Sequence, residues 1–440
     1  MKILHYFLGF PPYRTGGLTK YCCDLMDAQA QRGDTVAALW PGQMGFVDCR
    51  VRVRCNGQVG SVTSYELVNP LPVPLDEGIA TPEAYTKSCD KAIFTAFLQE
   101  LNPDTIHIHT LMGLYAEFVQ AAKELGIKTI FTTHDYFGLC PKVTLYRSGH
   151  TCSGNDCSAC VGCNSSALSL NKIRLIQSPL YRKLKNFPLM RWLRSRHRQE
   201  FFGEETQSLP LTSTPEQYRA LRQFYVQILT EIDTIHFNST LAQQIYSRYF
   251  TPQDGRVLSI THKNISDNRT ITRKASQKLR LLYLAPSKPF KGYTVLIEAL
   301  NQLWKNGQKN FELKVYNAVP EHKEYMHIMT SDFTYDKLSK IFADTDVLVA
   351  PSVWYETFGF TVLEALSFGV PVIISDHVGA KDITGDAAIV VEAGNAQALF
   401  EAIENLDEER LAQLHHAAAE LPIKLWEDFI KENDTLYQKR

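Results

Sequence analysis

The sequence predicts an α/β protein with two parallel-sheet domains. Two observations carry this. Short β-branched apolar runs alternate with longer amphipathic stretches in both halves of the chain. The 440 residues also exceed what one hydrophobic core ordinarily serves, so two domains are the default.

The first half opens on a strand at 2–7 that runs into Pro11-Pro12-Tyr13-Arg14-Thr15-Gly16-Gly17. A helix over about 18–32 follows, ended by Gly33, and then a strand at 35–39. Gly16 and Gly17 between strand and helix let the backbone approach a ligand, with helix N–H groups behind it; a tight turn needing positive φ explains them equally well. Residues 50–80 are Pro-rich and read as irregular. Two further strands, 104–110 and 128–133, flank a helix at 114–125, and His134-Asp135 follows directly. Ligands of open α/β sheets sit at the carboxyl ends of strands, which puts His134 within reach of a cleft, whereas His107 and His109, inside a strand, read as structural. A helix at 215–231, a strand at 233–238, a helix at 240–250 and a last strand at 257–262 complete this half.

In the second half a strand at 280–285 leads through Lys288-Pro289-Phe290-Lys291-Gly292 into a helix at 293–305. The stretch 351–382 is the centre of this half. A strand at 347–350 precedes it, a helix over 359–368 is stopped by Gly369, and a strand at 370–375 follows. The N-terminus of that helix offers free N–H groups to an anion. Glu356 lies in the turn before the helix and Glu364 on it. Carboxylates suit hydroxyl groups rather than phosphate, each such bond contributing roughly 1.5–3 kcal/mol. A diphosphate flanked by ribose and hexose meets that description, and two solvated glutamates on an amphipathic element meet it as well. Helices near 395–405, 407–418 and 422–436 close the chain.

Charge is balanced, 46 Lys plus Arg against 47 Asp plus Glu, which gives no case for a nucleic-acid partner. No apolar run approaches the ~20 residues that cross a bilayer, and the N-terminus reads as a strand rather than a secretion signal. A cytoplasmic protein is expected. Five of the ten cysteines, Cys140, Cys152, Cys157, Cys160 and Cys163, cluster in one stretch. In a reducing compartment that favours metal over disulfides, and four of these thiols, with His150 also to hand, suit structural zinc; an iron–sulfur cluster is the second choice. Residues 172–198 hold nine Lys or Arg and no acidic residue, interspersed with apolar side chains. They suit an anionic membrane surface, or a solvated basic face.

Glu356-x7-Glu364, the Glu356-Thr357-Phe358-Gly359 turn and the Gly369-Val370-Pro371-Val372-Ile373 strand resemble the donor-site signature of retaining glycosyltransferases of family 4. The Gly16-Gly17 loop, His134-Asp135 and Lys291-Gly292 extend the likeness, and some members have a similar Cys-rich loop. The resemblance implies the GT-B architecture: two Rossmann-like domains across a cleft, with no catalytic metal. The domains are expected at 1–262 (acceptor side, with the Cys-rich insertion 140–163) and 279–421 (donor side), joined by a linker at 263–278. A helix within 422–440 crosses back. It implies a donor of UDP or GDP type, and a saccharide or lipid-linked saccharide acceptor met in the cytoplasm or on the inner face of the plasma membrane. Glu356 and His134 would orient the sugar, Glu364 the ribose, and Lys291 with Thr357, Phe358 and Gly359 the diphosphate. The sequence departs from the family at Ala285 and Pro286, where an Arg is usual, and at Gly379-Ala380-Lys381-Asp382, where Gly-Gly-x-x-Glu is usual. These departures motivate two rival readings: a degenerate nucleotide-sugar-binding partner protein, or a sugar-nucleotide hydrolase or epimerase.

Overall fold

The computed structural model describes residues 1–75, 77–152, 157–184, 187, 213–269, 276–316, 319, 321–329 and 337–438. The first half runs β1 (Lys2–Tyr6), α1 (Gly17–Gln31), β2 (Thr35–Pro41), β3 (Arg52–Val59), β4 (Val62–Val68), α2 (Ala92–Leu101), β5 (Thr105–Ile108), α3 (Ala116–Glu124) and β6 (Lys128–Thr132). It continues with β7 (Tyr146–Arg147), β8 (His150–Thr151), α4 (Cys160–Cys163), α5 (Leu170–Ile176), α6 (Pro179–Leu184), α7 (Pro215–Glu231), β9 (Thr234–Phe237), α8 (Thr240–Tyr246) and β10 (Gly255–Val257). The second half runs β11 (Leu279–Tyr283), α9 (Tyr293–Lys305), β12 (Phe311–Val315), β13 (Met326–Ile328), α10 (Leu338–Ala343), β14 (Val347–Ala350), α11 (Phe360–Ser367), β15 (Val372–Ser375), β16 (Ala388–Val391), α12 (Ala396–Glu404), α13 (Glu408–Glu420) and α14 (Trp426–Tyr437).

Two sheets result. The first has the order β10-β9-β6-β5-β1-β2-β4-β3, the second β13-β12-β11-β14-β15-β16. Every pairing within them is parallel except β3 with β4. The fold class is the α/β, two-sheet one the sequence predicts.

Two stretches differ from the expectation. Residues 50–80 are not irregular throughout: over 52–68, β3 and β4 form an antiparallel hairpin at the sheet edge. Strand β3 is exposed along nearly its whole length; Arg52, Arg54, Asn56 and Gln58 alternate with Val53, Cys55, Gly57 and Val59, but the glycine and a register shift between Cys55 and Gln58 weaken the signal. Residues 258–262 are not strand; β10 stops at Val257, and the segment beyond it carries buried side chains toward the second half.

Local chemistry explains several helix starts. Thr214 caps α7 in a reciprocal pair with Gln217, and Pro215 occupies the first turn, where its missing N–H costs nothing. Ser239 caps α8 by accepting from the Ala242 N–H.

Strand alternation divides the first sheet's faces. Leu4, Tyr6, Ile106 and Ile108 enter the large core under α3 and α7, while Ile3, His5 and His107 face the other way. That second face is covered by α1 and by α14, which returns from the far end of the chain. Leu436 and Tyr437 pack on Ile3 and Ile130, and Lys128 donates to the Leu436 carbonyl at 2.6 Å. In the second half both sheet faces are apolar, the inner strands dividing their side chains between two cores.

Candidate active site

The carboxyl ends of β1, β6, β11 and β14 carry the loops expected to hold chemistry. After β11 the chain makes a short 3-10 turn, Pro289–Lys291, closed by Gly292 in the left-handed region (φ 78°). A Cβ on Gly292 would sit 1.8 Å from the Pro351 carbonyl oxygen, so only glycine lets this turn lie against the loop after β14. That contact brings Lys291 to Glu356, Nζ to Oε1 at 2.7 Å. The second carboxylate oxygen accepts from Ser352 Oγ at 2.6 Å, and Lys291 also lies over the Trp354 ring. Burial works against the Glu356 charge, but Lys291 and the hydrogen bonds outweigh it and hold the carboxyl below the usual range.

Gly359, at φ 107°, turns the chain into α11. Its neighbour Phe358 is buried in the core and edge-on to Phe360. Glu364 is buried on α11 at 3% exposure and accepts from His262 Nε2 at 3.2 Å. The Asn264 N–H donates to His262 Nδ1, which leaves the proton on Nε2, facing Glu364. His262 escaped sequence reading because it ends a run that resembles a strand. The signal was a lone histidine after Ile260-Thr261, too common to single out.

The first half meets this turn directly. Thr357 Oγ1 donates to the His134 carbonyl at 3.0 Å, and Ser239 Oγ donates to the Thr357 carbonyl at 2.6 Å. Gly379 completes the contact: a Cβ there would lie 2.2 Å from the Thr357 carbonyl and 2.5 Å from Ser239 Oγ. Beside it Asp382 accepts from Thr240 through both backbone N–H and hydroxyl, each at 2.6 Å. The altered Gly-Ala-Lys-Asp loop is therefore an interdomain clasp.

The His134 ring packs edge-on to Tyr21 and bonds through Nε2 to His109 Nδ1 at 3.3 Å; burial pushes its pKa down to about 3. Asp135 accepts from the Phe137 N–H, and burial raises its pKa to about 6. Gly16 (φ 119°) has open space around it, and a Cβ on Gly17 would rest 3.8 Å from Phe360. The N-termini of α1 and α11 thus approach each other across the cleft. Two helix N-termini, one ammonium and two carboxylates make a site suited to an anion with hydroxyl groups on either side.

Where the family has an Arg, Ala285 and Pro286 lead on to Lys288, whose ammonium lies over the Phe290 ring. Arg248, absent from the sequence expectations, stacks on Tyr355 in the loop before Glu356. Asp346 is buried and engaged by the Arg280 guanidinium at 2.7 Å, while Asp344 bonds both Arg280 and Lys314. The Asp-Thr-Asp triplet thus braces a strand end.

The Cys-rich loop reaches the same cleft, with Tyr146 edge-on to Phe290 at 6.1 Å. Cys157 and Cys160 are buried and hydrogen-bonded to each other, and burial pushes the Cys140 thiol up to about 11 and the Cys163 thiol in the same direction. Among the described residues, the groups whose ligand atoms lie within 4.8 Å of one another are His5/His107/His109 and Cys22/His109/His134; the cysteines are not gathered as tightly. Of the basic segment, 185–186 and 188–198 lie outside the described residues. Leu175, Ile176, Leu180 and Phe187 are exposed, as are Phe46 and Val47, whose loop is tied to the end of α5 by the Met44 N–H donating to the Gln177 carbonyl. Among the described residues no helix is long and apolar enough to cross a membrane.

Residues 15–151 match the family model for Glycosyltransferase Family 4, and residues 264–420 that for Glycosyl transferases group 1. The chain is 26% identical over 159 residues to the O-antigen chain mannosyltransferase B of Escherichia coli, a match spanning 36% of each protein. Among solved structures it resembles a sucrose-phosphate synthase from Thermosynechococcus elongatus (TM-score 0.56, 15% identity, 99% of this chain and 98% of that one). It also resembles the Anabaena protein Alr3699/HepE in complex with UDP and glucose (TM-score 0.57, 13% identity, all of both chains). These likenesses extend over both sheets and the cleft between them: the chain belongs to the GT-B glycosyltransferases of family 4.

Proposed function

We propose that this protein is a retaining, metal-independent glycosyltransferase that moves a hexose from a UDP- or GDP-type nucleotide sugar to a polysaccharide or lipid-linked saccharide. The observation that carries the reading is the Lys291–Glu356 pair, 2.7 Å apart before the N-terminus of α11, on the stretch that touches His134. A diphosphate competes for the ammonium and releases the carboxylate to accept from sugar hydroxyls. Lys291 and the α11 N–H groups then stabilise charge on the departing diphosphate, which is commonly the largest catalytic term. Glu364, oriented by His262, accepts from the ribose. The UDP and glucose bound by the Anabaena relative support a donor of this class.

Thermal-shift titration with UDP- and GDP-sugars tests the donor site, since a ligand bound to the folded state raises its stability by mass action. Lys291→Ala should weaken the donor about tenfold, equivalent to ~1.4 kcal/mol. An unchanged donor response removes the assignment. Turnover without acceptor would instead favour a hydrolase.

Structural zinc is proposed for four of Cys140, Cys152, Cys157, Cys160 and Cys163, supported by the Cys-x2-Cys spacing of Cys157, Cys160 and Cys163 and by thiol chemistry. Elemental analysis should find close to one zinc per chain, and stripping it should loosen the loop that meets Phe290. An anionic membrane surface is proposed for the exposed Leu175, Ile176, Leu180, Phe46 and Val47 together with Lys172 and Arg174; co-sedimentation with anionic vesicles, strongest at low salt, checks it.

A further inference from the structure

Behind His134 lies a buried row of polar side chains contributed by four strands and two helices. His134 Nε2 meets His109 Nδ1 at 3.3 Å, and His109 Nε2 meets His5 Nδ1 at 3.0 Å. His5 Nε2 meets Gln29 Oε1 at 2.7 Å, and Gln29 Nε2 donates to Tyr437 Oη at 2.9 Å. Tyr437 meets His107 Nδ1 at 2.6 Å, and His107 Nε2 meets Thr132 Oγ1 at 2.7 Å. Thr132 meets His236 Nδ1 at 2.9 Å, and His236 Nε2 ends on the Leu258 carbonyl at 2.8 Å.

The proton positions follow from that last bond. A backbone carbonyl only accepts, so His236 carries its proton on Nε2. Burial pushes His236 and His5 down to about 4 and His107 and His109 well below the ordinary range, so each ring is neutral and holds one proton. His236 Nδ1 is then an acceptor, which makes Thr132 the donor to it and the acceptor from His107 Nε2–H. His107 Nδ1 accepts from the Tyr437 hydroxyl, Tyr437 accepts from Gln29, and Gln29 Oε1 accepts from His5 Nε2–H. His5 Nδ1 accepts from His109 Nε2–H, and His109 Nδ1 accepts from His134 Nε2–H. No step reverses without setting two lone pairs, or two protons, against each other.

Ring geometry separates this arrangement from a metal site. His5 and His109 are almost parallel (9°) with centroids 5.3 Å apart, edge to edge as a nitrogen–nitrogen hydrogen bond requires. His107 stacks on His109 with centroids 4.1 Å apart, so the two present faces, not lone pairs, to each other.

We propose that this row is a one-way hydrogen-bond relay, anchored on the Leu258 carbonyl, which holds His134 as the neutral Nε2–H tautomer with its Nδ1 unprotonated, and that Tyr437 on the C-terminal helix is a positioning residue for His134. The consequence for turnover rests on the reading of His134 as a cleft residue; the tautomer does not.

The test is multiple-bond proton–nitrogen correlation on the full chain labelled with ¹⁵N-histidine, with His134→Gln used to identify the resonances. The wild-type protein at neutral pH should show His134 protonated at Nε2 and bare at Nδ1. Tyr437→Phe keeps the ring and removes the hydroxyl, freeing the segment from Gln29 to His134 from its anchor. It should give a mixture of His134 tautomers and a several-fold fall in kcat at unchanged donor KM. A shifted tautomer with unchanged kcat upholds the relay and removes His134 from the proposed reaction. Protonation at Nδ1 in the wild type, an ion bound within the row, or a tautomer indifferent to Tyr437→Phe overturns the proposal.

Discussion

The two sheets share one architecture but differ in what they bury. In the second half the inner strands are apolar on both faces: Leu281, Leu282, Val347, Leu348, Val372, Ile373 and Ile374 are each at most 1% exposed. Among the described residues of its sheet, buried charge lies at a strand end, where Arg280 meets Asp346, and Glu364 is buried on the helix α11. In the first half one face is apolar, while the other buries His5, His107 and His236 together with Thr132 and Gln29. Parallel strands covered on both sides need no polar residues, and burying a histidine carries a cost unless both nitrogens are hydrogen-bonded. The histidines beneath His134 meet that condition through partners on six separate elements. One half is thus held mainly by packing, and the other also by a network that acid can break.

Acid therefore gives the largest difference between the halves. A histidine whose folded pKa is depressed contributes stability that is fully present above its unfolded value near 6.5 and is lost as pH falls through the folded value. For His5 and His236, pushed to about 4, the loss reaches about 2 kcal/mol each by pH 5, with His107 and His109 adding in the same direction. Asp135 works the other way: raised to about 6, it contributes stability present below its unfolded value near 4 and lost as pH rises through 6. Four histidines outweigh one carboxyl. Hydrogen exchange, corrected for intrinsic rates, should show β1, β5 and β6 losing protection between pH 6 and 4.5 before β11, β14 and β15 do. Simultaneous loss in both sheets would remove the distinction.

The same contrast explains what sequence reading captured. The second half announces itself locally: apolar strands, Gly-containing turns and Glu356-x7-Glu364 lie within one continuous stretch, and α11 and β15 fall within two residues of their expected bounds. Most strands of the first half are equally clear, because alternation marks them even where one face is polar. The relay is not legible: residues 5, 29, 107, 132, 236 and 437 are brought together only by sheet order and by the return of α14. His107 and His109 were expected to be structural, and only their partners show a connection to His134. Lys291 and Glu356 were assigned to phosphate and sugar separately; their pairing across 65 residues comes from the Gly292 turn and has no local signal.

Glu364 gives the next largest effect, and its burial changes what a substitution there should do. Removing the carboxylate leaves the His262 Nε2–H buried without its acceptor, costing about 1–3 kcal/mol. Glu364→Ala should therefore lower the Tm as well as weaken the nucleotide. Glu364→Gln keeps an oxygen for His262 and should recover most of the stability while remaining a poorer acceptor for hydroxyls. If the two variants melt alike, the His262 contact contributes little and the second half is held by apolar packing alone.

The smallest effect is expected where the halves touch. Asp382 receives two hydrogen bonds from Thr240 at the start of α8, and both residues are solvent-accessible, so the attraction is screened. Asp382→Asn keeps one acceptor oxygen and the shape but removes the charge, for a loss of about 0.5–1 kcal/mol. That is too little to unfold either sheet, so protection within β5 and β14 should not change. The loss should appear at the contact itself, as faster exchange in 356–359 and 377–380, where Gly379 N–H donates to the Glu356 carbonyl and Ala380 N–H to that of Phe358. Donor binding draws on the same turn, so a nucleotide sugar should restore part of the protection. Unchanged exchange at 356–359 would mean that Gly379 and Ser239 hold the halves together without Asp382, and that the clasp is steric rather than electrostatic.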